Sequence, residues 1–240
     1  MNVELILQGK GGVGKSWIAT LLAQYYSIKG IPPRCIDTDP VNATFSGYRA
    51  FKVESLNIMD GDDINSRAFD QLIERIMDVD GGQQMVVDNG ASTFVPLCSY
   101  LLQNDVVGLL TEAGHSVRFH TVITGGQALP DTIEGFSSLA ANIPNVPVVV
   151  WLNEYFGKPE HNGKTFEDSK VFEKYKDRVQ ALVTIPAVKP ETFGTDVQKM
   201  MKRHDTFAEA DVSVDYSIME HQRLRMMWRK LLGQMERARL

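Results

Sequence analysis

Cysteine is almost missing from this sequence, and so are long hydrophobic runs and any excess of basic charge. The two cysteines in 240 residues, Cys35 and Cys98, lie far apart and belong to no C-x-x-C pair. That argues against a structural zinc or an iron–sulfur cluster and leaves buried free thiols as the plain expectation. No stretch reaches the roughly 18 consecutive apolar residues of a membrane span. The opening MNVELILQGK lacks the basic and long apolar regions of a secretory signal, so a cytoplasmic location is expected. A formal net charge of −5 weighs against a surface that binds nucleic acid or anionic lipid over its whole extent; only local basic patches could do so. Linker-like runs of Pro, Gly or Ser, internal repeats and low-complexity tracts are absent as well. With 43% hydrophobic residues, a single domain over 1–240 is expected.

Short apolar runs alternate with longer segments of helical period, which predicts an α/β fold with a mainly parallel twisted sheet flanked by helices. Strands are expected at 3–7, 33–36, 84–87, 106–110, 117–123, 146–152 and 181–185. Helices are expected at 15–29, 67–78, 94–103, 130–142, 166–177 and 192–203, with a long amphipathic one from about 216 to 240. NEYFGKPEHNGK, residues 153–164, is a conspicuous polar loop.

Gly9-Lys10-Gly11-Gly12-Val13-Gly14-Lys15-Ser16 fits G-x-x-x-x-G-K-[ST] between an expected strand and an expected helix, the setting a phosphate-binding loop requires. Its glycines let backbone N–H groups turn towards phosphate oxygens, and the helix behind them presents its positive N-terminus. Lys15 is then placed to reach the β- and γ-phosphates and Ser16 to ligate Mg²⁺. A magnesium–nucleotide site also needs carboxylates at neighbouring strand ends. Asp37 and Asp39 in CIDTDPVNAT, and Asp88 in MVVDNGAS, supply them. The alternative for these acids is to cap turns.

An ordinary phosphate loop has no use for Lys10. Its place in K-G-G-V-G-K-S resembles the deviant Walker A motif of the ParA/MinD family of dimeric ATPases. CIDTDPVNAT resembles that family's switch I, with Val41-Asn42 one residue shorter and lacking its glutamine, and MVVDNGAS resembles its Walker B strand. The likeness runs in order over most of the chain. QGKGGVGKS, VDNGASTFVPL, HTVITGGQAL, VVWLNEYFG and TIPAVKPETFG look like a ParA-like group of plasmid conjugation systems.

The resemblance implies a P-loop NTPase fold, ATP and Mg²⁺ as cofactors, ATP hydrolysis, and a homodimer formed with ATP. By the same resemblance Gly9, Gly11, Gly12, Val13, Gly14, Lys15, Ser16 and Trp17 cradle the nucleotide, Asn153 meets adenine and Pro186 flanks the base. Ser16, Asp37 and Asp88 hold the Mg²⁺ shell, and Gly90 senses the γ-phosphate. Lys15 and Asp39 serve catalysis, Asp39 by positioning the attacking water, and Lys10 crosses to the partner's phosphates. Asn153 reads equally as the first residue of a turn.

The leading expectation is therefore a nucleotide switch in conjugal DNA transfer that recruits a transfer-machinery protein. A partition or membrane-positioning ATPase would share this core, while a carboxylate-activating ligase would leave Lys10 without a purpose. Leu224, Met227, Trp228, Leu231 and Met235 line one face of the last helix, read first as core and second as a contact with the inner membrane. Lys199, Lys202 and Arg203 form a candidate DNA patch. Gly125-Gly126 mark a turn or, alternatively, a close approach by a partner. His115 and His120 have no spacing to other metal ligands and receive no chemistry.

Overall fold

Alternation along the first strand, β1 (Asn2–Ile6), sets the layering. Val3, Leu5 and the following Leu7 enter one apolar layer, while Ile6 enters the other beside Glu4, and none of these keeps more than 2% of its surface exposed. A strand buried on both faces belongs inside a sheet covered by helices on either side.

The protein is seen in a computed structural model that describes residues 1–39, 41–42, 44–61, 63–78 and 83–240; Pro40 and Ala43 of the switch-like stretch lie outside these. The other strands of the main sheet are β2 (Arg34–Asp37), β3 (Glu54–Ser55), β4 (Gln84–Asp88), β5 (Ser116–Thr124), β6 (Val148–Asn153) and β7 (Val179–Ile185). Their order is β7-β6-β5-β1-β4-β2-β3, and every pair is parallel. Connections diverge to either side of β1, so its C-terminal end opens into the crevice where parallel α/β sheets bind ligands.

On one face lie α2 (Ala68–Met77), α3 (Phe94–Gln103), α4 (Val106–Glu112) and α5 (Leu129–Asn142), with α6 (Lys170–Tyr175) partly packed against them. The opposite face carries α1 (Lys15–Ile28), α7 (Thr195–Arg203), α8 (Phe207–Val212) and α9 (Ile218–Arg237). No single helix among the described residues is long and apolar enough to cross a membrane.

Several expectations need correction. Residues 106–110 form the start of α4, not a strand. Val106 and Leu110 are buried four residues apart while Leu109 is 47% exposed, a helical spacing that the short run VVGLL conceals. The helix expected over 166–177 shrinks to α6 because Ser169 accepts the Phe172 N–H as N-cap, while Phe166 stays outside it in the core. The one expected over 192–203 opens with a wider π-helical turn, Pro190–Gly194, and only then becomes α7. Helix α8 was not foreseen, although Thr206 and Glu209 make a capping box that the spacing T-F-A-E announces.

Cys35 and Cys98 are free, and burial pushes both thiols up to about 12; Cys98 is only partly buried. Gly125 does permit a close approach, but by the chain itself: a Cβ there would run into the carbonyl oxygens of Gly157 and Lys158. The loop after β6 is thereby seated on the end of β5. A polar knot lies inside the sheet. His120 Nε2 donates to Glu4 at 2.7 Å, Tyr26 donates to Glu4 at 2.6 Å, and Trp151 Nε1 donates to His120 Nδ1 at 2.9 Å.

Candidate functional site

The phosphate loop leaves β1 at Leu7 and turns back into α1 with Gly14 at φ +104°, a left-handed position that glycine adopts without strain. Val13 and Trp17 point into the core, while Gly11 and Gly12 stay exposed. Lys15 is buried along its stem and its Nζ donates to the Lys10 carbonyl at 3.1 Å. Burial lowers its pKa, opposed by the charges of Asp88 and Asp39.

Three carboxylates face this loop from two strand ends, and they differ in what they already hold. Asp37 accepts backbone N–H groups from Asp39 and Ser46, each at 3.0 Å, and so staples the start of the switch-like loop; burial raises its pKa despite these donors. Asp39 accepts the N–H groups of Val41 at 2.9 Å and Asn42 at 3.0 Å. Its carboxyl lies against Gly90, where a Cβ would stand 2.9 Å from Asp39 Cγ.

Asp88 is the exception. It is 1% exposed, neither oxygen has a hydrogen bond of good geometry among the described residues, and burial pushes its carboxyl up to about 7 against the pull of the Ser16 hydroxyl and Lys15. A buried carboxylate with unused lone pairs beside a serine hydroxyl is chemically suited to a hard divalent cation. Ser16 and Asp88 fit Mg²⁺, with Asp37 close enough to raise the Asp88 pKa by its charge. The strand ends are tied together by Thr38, whose hydroxyl donates to Asn89 Oδ1 at 2.8 Å, and by Asn89, whose amide donates to the Ile6 carbonyl at 3.2 Å.

Two clefts meet over the loop. A polar one of about 560 Å³ is lined by Gly11, Lys15, Ser16, Asp39, Thr44 and Ser92, among others. A more apolar one of about 280 Å³ is walled by Val13, Ile185, Pro186, Val188 and Val197, with Asn153 at its back. Gly12, Gly14, Trp17 and Met201 belong to both. One half suits phosphates and metal, the other a flat base.

Residues 5–213 match the profile of the CobQ/CobB/MinD/ParA nucleotide binding domain. The chain belongs to this family. Two Escherichia coli proteins called Protein TraL are 52% and 51% identical to it over 238 residues, 99% of this chain and 98% of each of theirs. Among solved structures, the MinC:MinD cell division protein complex of Aquifex aeolicus aligns over 97% of this chain and 96% of its own, at 13% identity and a TM-score of 0.55. The protein is thus a TraL-like member of the ParA/MinD-type P-loop NTPases, a group whose members are generally ATPases.

Within this ParA/MinD frame, Lys10 points away from its own phosphate cleft. Its Nζ pairs with Asp131, in the first turn of α5, at 2.6 Å, and both side chains are about half exposed. Asn153 turns out to be committed on both ends: Nδ2 donates to the Val13 carbonyl at 2.9 Å and Oδ1 accepts the Tyr155 N–H at 3.1 Å. It braces the loop and caps the turn, as the turn reading expected.

The two outer-surface candidates fare worse. Lys199 pairs with Glu220 at 2.8 Å, and Arg203 pairs with Asp205 at 2.8 Å and also with Asp215. Of the proposed DNA patch only Lys202 has no ion pair among the described residues. The apolar face of α9 is occupied: Leu224, Met227, Leu231 and Met235 are buried, and Trp228 stacks on Phe207 at 5.0 Å. That face is packed on the protein's own core, with Trp228 partly exposed at its edge.

Sequence reasoning missed Thr38 and Asn89 as the tie between strands, and Tyr155, Gln198 and Met201 in the clefts. Thr38 lay between two marked aspartates and carried a signal. Gln198 and Met201 sit in a helix far along the chain, and only folding brings them to the loop.

Proposed function

We propose that this protein is an ATP-driven switch: with Mg²⁺ and ATP it forms a homodimer, hydrolyses ATP slowly and thereby releases the dimer. In this reading Lys15 and the loop N–H groups bind the phosphates, Ser16, Asp37 and Asp88 hold the metal shell, and Asp39 orients the attacking water. Bound Mg²⁺ adds positive charge at the phosphates. Asn153, Pro186 and Trp17 bound the base half of the site.

The observation that carries the reading is the division between two lysines of one loop. Lys15 is buried over the cleft, whereas the Lys10 ammonium is turned outward on a half-exposed ion pair with Asp131, free to exchange that carboxylate for a more highly charged anion on a facing subunit. A charge delivered in trans is worth on the order of 10³–10⁵ in rate in GTPases. The likeness to the TraL proteins over nearly the whole chain supports a role in conjugal plasmid transfer; in this reading the partner is a protein of the transfer machinery and the place of action the cytoplasm or the cytoplasmic face of the inner membrane.

Molecular mass by light scattering tests this with no nucleotide, with ADP and with a non-hydrolysable ATP analogue. The expected outcome is a doubled mass with the analogue alone, lost in Lys10→Ala, while Lys10→Ala still binds the analogue. A mass indifferent to nucleotide would overturn the switch, and an ATP-specific dimer that survives Lys10→Ala would overturn the trans role of Lys10.

A further inference from the structure

We propose that Gln198, oriented by Tyr155, selects the base of the bound nucleotide and favours adenine over guanine. The inference rests on the nucleotide reading above and names the residue that reads the base edge, a task that Asn153 is already hindered from performing alone.

Among the side chains lining the apolar cleft, the polar ones are Asn153, Tyr155 and Gln198, beside an indole at Trp17. The amide of Asn153 is 5% exposed and is spent on the Val13 carbonyl and the Tyr155 N–H. Gln198 is different. It stands exposed at the rim, its Nε2 donates to the Tyr155 hydroxyl at 2.7 Å, and its Oε1 has no hydrogen bond within the described residues.

The bond to Tyr155 engages one N–H of the amide, and a second N–H and the carbonyl oxygen are left for a ligand. Such a side-chain amide matches the N6/N7 edge of adenine, whose exocyclic amine donates next to a ring nitrogen that accepts, whereas guanine presents two acceptors on that edge. Guanine offers an amide-like edge and a further amino group, which a carboxylate reads best. No Asp or Glu among the described residues lines the cleft, so that amino group would lose its water without gaining a partner.

The supports of Gln198 are built in. Tyr155 is fixed at its backbone by Asn153 and at its ring by edge contact with Phe156, centroids 4.8 Å apart. The π-helical turn Pro190–Gly194 sets the start of α7 against the cleft, with Gly194, Val197, Gln198 and Met201 all on its wall. Such wide turns recur where a helix presents side chains to a ligand. The loop carrying Tyr155 is in turn seated on Gly125.

Equilibrium binding of fluorescent ATP, GTP and ITP analogues to the full chain, followed by fluorescence anisotropy, tests the proposal without relying on turnover. The parent protein is expected to prefer ATP by at least about tenfold, the discrimination of one good bidentate pair. Gln198→Ala should bring the ATP and GTP affinities to within about threefold of each other, chiefly by weakening ATP. Gln198→Glu, which supplies a carboxylate for guanine, should move the ratio towards GTP. Tyr155→Phe should lose part of the preference while keeping the phosphate affinity.

Asn153→Ala serves as the contrast, since loosening the loop should weaken all three analogues together. An ATP preference unchanged in both Gln198 variants, or a parent that favours GTP, would overturn the role of Gln198. Failure of the parent to bind any nucleotide would instead overturn the nucleotide reading. Circular dichroism of each variant separates misfolding from a local effect.

Discussion

Gly90 and Asp39 illustrate how single atoms govern the proposed chemistry. A Cβ on Gly90 would stand 2.9 Å from Asp39 Cγ, so Gly90→Ala must push the carboxylate aside. ATP turnover is expected to fall by up to about a hundredfold, as misplacement by about an ångström does elsewhere, while the affinity for ADP stays within a few-fold. Equal losses in both would mean that Asp39 binds and does not orient. His120 offers a second test. Its Nδ1 accepts the Trp151 N–H, so its proton sits on Nε2 and the ring is neutral, and burial lowers its pKa against the pull of Glu4. The unfolded ring titrates near 6.5. The folded ring takes up its proton only at lower pH, so its contribution to stability is complete above about 6.5 and declines as the pH falls below that value. Burial would raise Glu4, but its bonds to His120 and Tyr26 and the charge of Arg118 leave it lowered, so its contribution fades at still lower pH. Urea unfolding between pH 5 and 8 should therefore show stability falling on the acid side, and His120→Gln should reduce that slope by up to about 1.4 kcal/mol per pH unit. An unchanged slope would show His120 to be charged in the fold.

At the scale of elements, α9 tests what the apolar stripe is for. Leu231 is fully buried between α9 and the sheet, and Leu231→Ala should cost about 2–5 kcal/mol of unfolding free energy in chemical denaturation. A loss under about 1 kcal/mol would return the stripe to the list of external contacts. The contrast between α9 and α4 shows what the sequence could and could not reveal. Twenty residues from Ile218 to Arg237 repeat the helical period often enough to be unmistakable, and Ser217 with Glu220 marks the start. Val106–Glu112 holds too few residues to separate a helix from a buried strand, because β1 was free in principle to pair with any short apolar run. The edge β3 is two residues long, below the length at which a pattern exists.

For the molecule as a whole, the phosphate half of the site was legible because it is local: a loop, and acids at the ends of β4, beside β1, and of β2, the next strand out. The base half was legible only where the resemblance pointed, at Trp17, Asn153 and Pro186, and not from spacing. Gly12 to Trp17 supply one wall, and Ile185 to Met227 most of the others, so no spacing along the chain connects them. The same distance hid the neutralisation of the basic patch, since Lys199 and Arg203 meet Glu220 and Asp215 only after α7, α8 and α9 fold back on one another. Charge counted along the sequence suggested a docking surface; charge counted in space shows an internal truss.

The split ancestry of the apolar cleft has a mechanical consequence. A base lodged there would touch the first helix together with the end of β7, α7 and α9, and so would act as a removable tie between the two ends of the polypeptide. Losing the nucleotide would then do more than empty a site: it would remove one tie between the C-terminal quarter and the loop that began the fold, leaving the core contacts of α7 and α9 to hold that quarter alone.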